Sequence, residues 1–517
     1  MSGVSGPGHF IVFKPARYGH PQITRASVIW TGTRRCKPNR RHARYASSAQ
    51  RRVALQLSRP TVTQTLHNEA VHKAPSPGAS AGHAGASLDP ARHRALAETR
   101  RSDGDELGAV AHLIAAHTLD AYAAAVPGAN ASNLCDVATG YLMKGDHVIA
   151  EYWYRLVLTL DPHVAVACQN LAAILASVGH VSEAAAYRER AYRIQRVFVE
   201  GSGAEQRRVL ILCAAHTAGN VPFDALLPNA TCCRIKYAID YAADEEDQQL
   251  PAYDLVFNAI GDADVAAPLS GRLARFVSRS ARPVLNAPSV VARTQRHRTA
   301  SLLDGLPDVQ VAPCVQSDAA PASRAALDAL LAESGIGFPV LARPAATHGG
   351  DGLTLCESRA ALEAWRSAQG GVAYLTAFRD YRGTDGFYRK YRIIFVDREP
   401  FPYHLAISPH WMVHYYSADM EQHPWKLEEE RRFLDNPHAV LGERVMGAIA
   451  AIGRRLDLDY GGIDFTVLPD GQVLVFEANA TMLAHFERGT GSLAYKNPYV
   501  QRIVEAFERM MSRHSTT

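Results

Sequence analysis

Gly461-Gly462-Ile463-Asp464-Phe465 and, after a short gap, Val473-Leu474-Val475-Phe476-Glu477-Ala478-Asn479 form the stretch from which the fold of this chain can be read. Both runs are apolar and β-prone, and Val467-Leu468-Pro469-Asp470-Gly471-Gln472 between them has the chemistry of a hairpin turn. Strand side chains alternate between faces, so Glu477 and Asn479, two apart, share one, and a hairpin can set Asp464 opposite them. Two carboxylates and an amide oxygen converging among apolar strands would repel unless a hard cation lay between them. Magnesium suits such a set and completes its shell with water and phosphate oxygens. The same residues could also be the solvated positions of an exposed hairpin.

Two features lie upstream. Tyr388-Arg389-Lys390-Tyr391-Arg392-Ile393-Ile394-Phe395-Val396 turns at Asp397-Arg398 and returns through Phe401 to Ile407, a second hairpin with His404 on its returning strand. Lys390 and Arg392 share a face there, either at a site or in solvent. Further back, Phe338-Pro339-Val340-Leu341-Ala342-Arg343-Pro344 is a strand ending in a cation, followed by Thr347-His348-Gly349-Gly350-Asp351-Gly352-Leu353. A glycine-rich turn lets phosphate oxygens approach its backbone N–H groups, although Gly-Gly-Asp-Gly alone is as well an ordinary hairpin turn.

Taken in order, these parts make the run from Asn286 to Asn479 resemble the ATP-grasp superfamily of carboxylate–amine ligases. The resemblance implies a small α/β pre-domain and two α+β subdomains that clamp ATP. Arg296 stands on the helix that carries the family's first nucleotide-binding lysine, and Arg343 on the strand that carries the second. His348, Gly349, Gly350 and Gly352 fall on the glycine-rich lid, and Tyr374, Leu375 and Thr376 on the hinge that holds adenine by backbone hydrogen bonds. Arg392 aligns with the arginine at the transferred phosphoryl group, with Lys390 or His404 assisting, and Asp464, Glu477 and Asn479 with the metal ligands. The implied cofactors are ATP and Mg2+, with Mn2+ as the alternative. The sequence departs from the family where arginines replace both lysines, where Thr376 replaces an acidic residue, and where Ala480 follows Asn479 in place of proline.

The rest of the chain reads as three further segments. Val209 to Cys213 and Tyr253 to Asn258 are short strands of an α/β layer, expected as a pre-domain over 205–290 ahead of the catalytic domain at 291–512. Residues 106–200 are helical and repeat: Gly145 recurs as Gly179, Ala138 as Ala172 and Ala150 as Ala184, all at an offset of 34. That period resembles the tetratricopeptide repeat, an all-α array in which neighbouring helix pairs bury each other's apolar faces. Residues 1–105 are expected to be a disordered leader, since they are rich in Arg, Ser, Pro and Gly and lack periodicity. Its first 67 residues hold twelve Lys or Arg and no Asp or Glu, so a transit peptide or a nucleic-acid-binding arm is the alternative to an uninformative tail.

The apolar fraction of 47% suits several buried cores, and no apolar run of membrane-spanning length occurs, so neither a membrane partner nor a secretory signal is expected. Eight scattered cysteines without a CxxC pair read as free thiols of a reducing, cytoplasmic compartment. The expected function is an ADP-forming ligase that joins a carboxylate to an amine through an acyl phosphate. Its substrates would be small molecules or peptides, with a peptide or protein recruited by the repeats. Nucleic acid is not expected as a partner, and a homodimer stays open. The competing readings are phosphoryl transfer without ligation, and a repeat scaffold bearing a relic ATP-grasp domain.

Overall fold

Gly145 and Gly179, the pair that marked the repeat, both adopt the left-handed conformation, with φ of 83° and 86°, and turn the chain between helices. In the computed structural model, which describes residues 87–515 except 128, 202–206, 216–218, 319–323, 348–349, 370 and 488, the helices pack in successive pairs. Ser132–Lys144 pairs with His147–Leu160, and Ala165–Ser177 with Val181–Ile194. Buried Ala138, Ala150, Ala172 and Ala184 allow the close approach that a larger side chain would prevent. Tyr154 ties the two pairs together: its hydroxyl lies 2.8 Å from Thr139 Oγ1 and accepts a hydrogen bond from Asn170 Nδ2 at 2.8 Å.

A further pair precedes these two, and here the expected boundary at residue 105 moves. Pro90–Ser102 is a helix packed on Glu106–Ala123, capped by Asp89, whose carboxylate accepts from the Ala91 N–H at 2.9 Å. It buries only His93 and Ala97 among exposed arginines, so it left too weak a periodic signal to be read as a helix. Of the leader, residues 1–86 lie outside the described residues.

The remaining chain, residues 196–517, packs as one unit. It starts earlier than expected, because β1 (Val197–Glu200), assigned from sequence to the helical block, pairs antiparallel with β3 (Cys232–Ala238). Beside β3 run β2 (Arg207–Cys213), β4 (Leu255–Asn258) and β5 (Val284–Leu285) in parallel, giving the order β1-β3-β2-β4-β5. A second sheet of β7 (Cys314–Ser317), β10 (Ala373–Ala377), β8 (Val340–Pro344) and β9 (Thr354–Cys356) is antiparallel throughout. Leu327, Leu331, Leu362 and Trp365 from helices Arg324–Glu333 and Arg359–Gln369 share its core.

The third sheet carries the chemistry. Its order is β12 (Glu399–Ser408), β11 (Tyr388–Val396), β13 (Tyr460–Val467), β14 (Val473–Asn479) and β6 (Val309–Val311). The two expected hairpins are both present, and Asp397 and Arg398 at φ 50° and 70° form the two-residue turn between β11 and β12. Pro400 and Pro402 are tolerated because β12 is an edge strand.

One face of this sheet, with Tyr391, Ile393, Phe395, Ile463, Phe465, Val473 and Val475, is buried with Phe433, Leu434, Ile449 and Ile452 of helices Pro424–Asp435 and Glu443–Leu456. At one end of the other face, Ile394, Val396, Tyr403 and Tyr460 join Val209, Ile211 and Phe257 of the first sheet and Phe507 of helix Asn497–Ser515. The expected pre-domain and catalytic domain thus share a core. Each large side chain removed from water there contributes on the order of 1.5–3 kcal/mol. Within the third sheet Gly462 lets β13 lie close against β11: a Cβ at that position would lie 2.4 Å from the Ile393 carbonyl oxygen.

Candidate active site

Plain alternation along β14 would put Val473, Val475, Glu477 and Asn479 on one face. The structure breaks that alternation with a bulge: Asp464 lies opposite Glu477, while Phe465 lies opposite Val475, skipping Phe476. Val473 and Val475 therefore face the apolar core while Glu477 faces away from it, on the same side as Asp464. A second bulge does the same on β12, where Arg392 lies opposite His404 and Ile393 opposite Pro402, skipping Tyr403. The outcome is a row across four adjacent strands, His404–Arg392–Asp464–Glu477, with all four side chains on one face. Lys390, two residues from Arg392, lies on that face as well.

The charges in the row are matched. Arg392 donates to both carboxylate oxygens of Asp464, at 2.6 and 2.8 Å, and Lys390 Nζ lies 3.1 Å away. Asp464 is buried, which disfavours its charge, but Arg392 and Lys390 outweigh burial and hold its pKa far below the usual carboxylate range. Burial likewise opposes ionisation of Glu477, and Arg296, which donates to it at 2.8 Å, and then Arg343 keep it ionised with a lowered pKa. Arg343 is itself buried, which together with nearby Arg296 pulls its pKa down to about 10, so it stays protonated at neutral pH. Its guanidinium donates to Thr347, through Nε to Oγ1 at 2.9 Å and through Nη2 to the carbonyl. Burial, with Arg392 and Lys496 nearby, drives the His404 pKa well down, so the imidazole is neutral; its Nε2 has no hydrogen-bond partner among the described residues.

The sequence-derived residues Arg296, Arg343, Lys390, Arg392, His404, Asp464, Glu477 and Asn479 thus come together around the third sheet. The turn after β8 closes an antiparallel pairing with β9, as expected, and Gly350 and Gly352 in it have φ of 84° and 67°. A Cβ on Gly350 would lie 3.8 Å from Met412 Sδ, so the turn reaches the Ser408 to His414 loop that follows β12. His348 and Gly349 lie outside the described residues.

The hinge expected at Tyr374, Leu375 and Thr376 needs correction. β10 has β7 on one side and β8 on the other across all three residues, so their backbone polar groups are taken up by the two ladders and are not open to an adenine ring. Tyr374 serves another purpose, donating its hydroxyl proton to Asp264 of the first-sheet region at 2.5 Å and stacking on His297 at 6.0 Å. Sequence reasoning missed Asp264 and His297 because their connection to Tyr374 crosses sheets. It also missed Tyr403, His485 and Glu487: Tyr403 Oη lies 2.8 Å from His485 Nδ1, and His485 Nε2 lies 3.3 Å from Glu487 Oε1. Only the two-residue step from His485 to Glu487 was visible locally.

Among the described residues, no three His, Cys, Asp or Glu side chains cluster as a metal site; the expected set has two carboxylates and one amide. Its chemistry fits a hard divalent ion that takes its other ligands from water or phosphate. The Asn479 amide nitrogen donates to Glu477 Oε1, and its oxygen accepts from the Thr481 N–H at 2.9 Å, so the amide must turn over to present the oxygen to an ion. The cationic partners of both carboxylates are the groups that a polyphosphate would claim. An arriving polyanion and divalent ion would exchange partners with the resident ion pairs and leave no buried charge unmatched.

Residues 305–379 match the family described as carbamoyl-phosphate synthase L chain, ATP binding domain. That segment runs from β6 through β10, includes Arg343, and ends before Arg392. No curated protein matches the chain. Among solved structures the chain is similar to D-alanine–D-alanine ligase from Bacillus anthracis complexed with ATP, at 12% identity over 60% of this chain and 97% of that one, with a TM-score of 0.37. It is similar to the RimK domain protein ATP-grasp from Sphaerobacter thermophilus at 17% identity, over 58% of this chain and 99% of that one, with a TM-score of 0.35. It is also similar to D-cycloserine synthetase DcsG at 16% identity, over 58% and 99% of the two chains, with a TM-score of 0.36.

Proposed function

We propose that residues 196–517 form an ATP-grasp-type ligase that phosphorylates a substrate carboxylate and joins the acyl phosphate to an amine, releasing ADP and phosphate. The observation that carries this reading is the row His404–Arg392–Asp464–Glu477, bordered by Lys390, Arg296 and Arg343. A γ-phosphate and an attacking carboxylate are both anionic, so they repel in water. Transfer between them requires fixed cations in a place sheltered from solvent. The planar fork of Arg392, now on Asp464, is suited to the transferring phosphoryl group, with Lys390 beside it. Arg343 and Arg296 are suited to the phosphates behind it, under the Gly350–Gly352 turn. Asp464, Glu477 and Asn479 would hold Mg2+ or Mn2+, which would neutralise phosphate charge. Neutral His404 adds no charge of its own and can donate or accept a hydrogen bond.

The helical pairs from Pro90 to Ile194, with their offset of 34 residues and glycine turns, support a tetratricopeptide-like array that recruits a peptide or protein. A screen for phosphate release with amino acids and peptides tests the activity, and oxygen-18 in the substrate carboxylate tests the route. The label should pass to the released phosphate. Ligation with unlabelled phosphate, or with AMP as the nucleotide product, would exclude an acyl phosphate. A stable phosphorylated end product would establish a kinase.

A further inference from the structure

Tyr403 and His404 occupy the bulge of β12: His404 lies opposite Arg392, and Tyr403 packs with Ile394 and Val396, which share the face of Arg392, and the two rings are 5.3 Å apart. Tyr403 is 4% exposed, yet its hydroxyl meets His485 Nδ1 at 2.8 Å, and His485 Nε2 lies 3.3 Å from Glu487 Oε1. The loop that bears these two residues follows β14 and is pinned. The Glu487 N–H donates to Asn497 Oδ1 at 2.7 Å, and Asn497 Nδ2 donates to the Glu487 carbonyl at 3.1 Å. Charges of both signs surround the pair: Lys496 Nζ is 5.5 Å from the Tyr403 ring centre and lies 3.5 Å from Glu430, Arg392 is paired with Asp464, and Glu487 stands behind His485. Burial, with Tyr460, Tyr416 and Glu487 near, keeps the phenol protonated and outweighs Arg392, so no free phenolate forms at neutral pH.

We propose that Tyr403, His485 and Glu487 are a proton relay for the amine acceptor, an assignment that rests on the ligase reading above. An amino group that is an ammonium at neutral pH has no lone pair and must lose a proton before it can attack an acyl phosphate. The ammonium N–H breaks first and its proton passes to the Tyr403 oxygen. The Tyr403 proton moves to His485 Nδ1, and Glu487 balances the imidazolium. The free amine then forms the C–N bond, the acyl C–O bond breaks, and phosphate leaves with the former carboxylate oxygen and the second nitrogen proton, while His485 returns its proton to water. Tyr403 is the catalytic member; His485 and Glu487 act through it.

Hydroxylamine separates this role from the rest of the reaction, because it is unprotonated at neutral pH and captures an acyl phosphate as a hydroxamate without a base. The common amino acids and D-alanine are offered singly as carboxylates to the full chain with ATP and magnesium, first with hydroxylamine and then with amino acids as amines. Tyr403→Phe and His485→Gln should form ADP and hydroxamate within about threefold of the wild type. Amide formation should fall by about 10²-fold at pH 7, the lower end of general-base effects, and recover towards pH 9 as the free amine increases. Equal losses of hydroxamate and amide in Tyr403→Phe, or amide formation retained in both variants, would overturn the relay. Failure of the wild type to form any hydroxamate would instead overturn the ligase reading beneath it.

Discussion

Replacing Asp464 by Asn keeps the shape of the side chain and removes one charge. Arg392, which donates to it twice at 2.6 and 2.8 Å, and Lys390 at 3.1 Å, then face a neutral amide at a position that is 4% exposed. Loss of one partner from a buried ion pair costs about 3–5 kcal/mol, mainly through the stranded charge. For a unit of this size that lowers the melting temperature by roughly 4–7 °C. Glu477→Gln should cost far less, about 1 kcal/mol, because Glu477 and Arg296 are each about one quarter exposed and their pair is partly solvated. Asp464→Asn/Arg392→Met, which removes both partners, should recover much of the lost stability, with Lys390 turning its ammonium to solvent. Thermal melting of the three variants, followed by fluorescence with and without magnesium-ADP, reads these differences directly. Equal melting temperatures for Asp464→Asn and wild type, or a double variant less stable than the single one, would refute the reasoning. Glu477→Gln should meanwhile lose metal-dependent turnover by orders of magnitude with its fold intact.

Arg343→Ala should raise the apparent nucleotide dissociation constant strongly and Arg343→Lys much less, measured by calorimetry with ADP; equal affinities would remove Arg343 from the site. In the helical unit, His93 and His112 face each other through Nδ1 at 2.9 Å, and burial, then His93, lowers the His112 pKa to about 4. The unfolded chain then binds more protons than the folded one between about pH 6.5 and 4, so stability falls with pH across that window by about 2–3 kcal/mol; hydrogen exchange in Glu106–Ala123 should report it, and His112→Gln should flatten the dependence. A chain beginning at Ser87 should melt like the full chain, whereas one beginning at Asp105 should lose protection in Glu106–Ala123, because Pro90–Ser102 covers it. Gly462→Ala should destabilise by at least about 2 kcal/mol, near the upper range for overpacking, because its Cβ would strike the Ile393 carbonyl; unchanged denaturant midpoints would refute that.

The sequence determined the two hairpins of the third sheet, since strand alternation and turn chemistry are local, and Asp397-Arg398 and Pro469-Asp470-Gly471 could be read directly as turns. It also marked the helix-pair offset, because Gly145 and Gly179 answer to backbone conformation alone. The spacing of Asp464, Glu477 and Asn479 was legible for the same reason. The tertiary structure decided which face these residues occupy. Alternation alone would have put Val475 beside Glu477, and only the bulge at Phe476 separates core from site, through pairing with a neighbouring strand that no local pattern encodes. It also decided that Tyr374, Leu375 and Thr376 are interior to a sheet: whether a strand's backbone groups are free depends on how many neighbours it has, and β10 has two. Tyr403 and His485 are 82 residues apart and meet only because β12 and the loop after β14 are brought together in space. Side-chain periodicity is a property of the segment, whereas register, strand neighbours and long-range hydrogen bonds are properties of the assembled sheets.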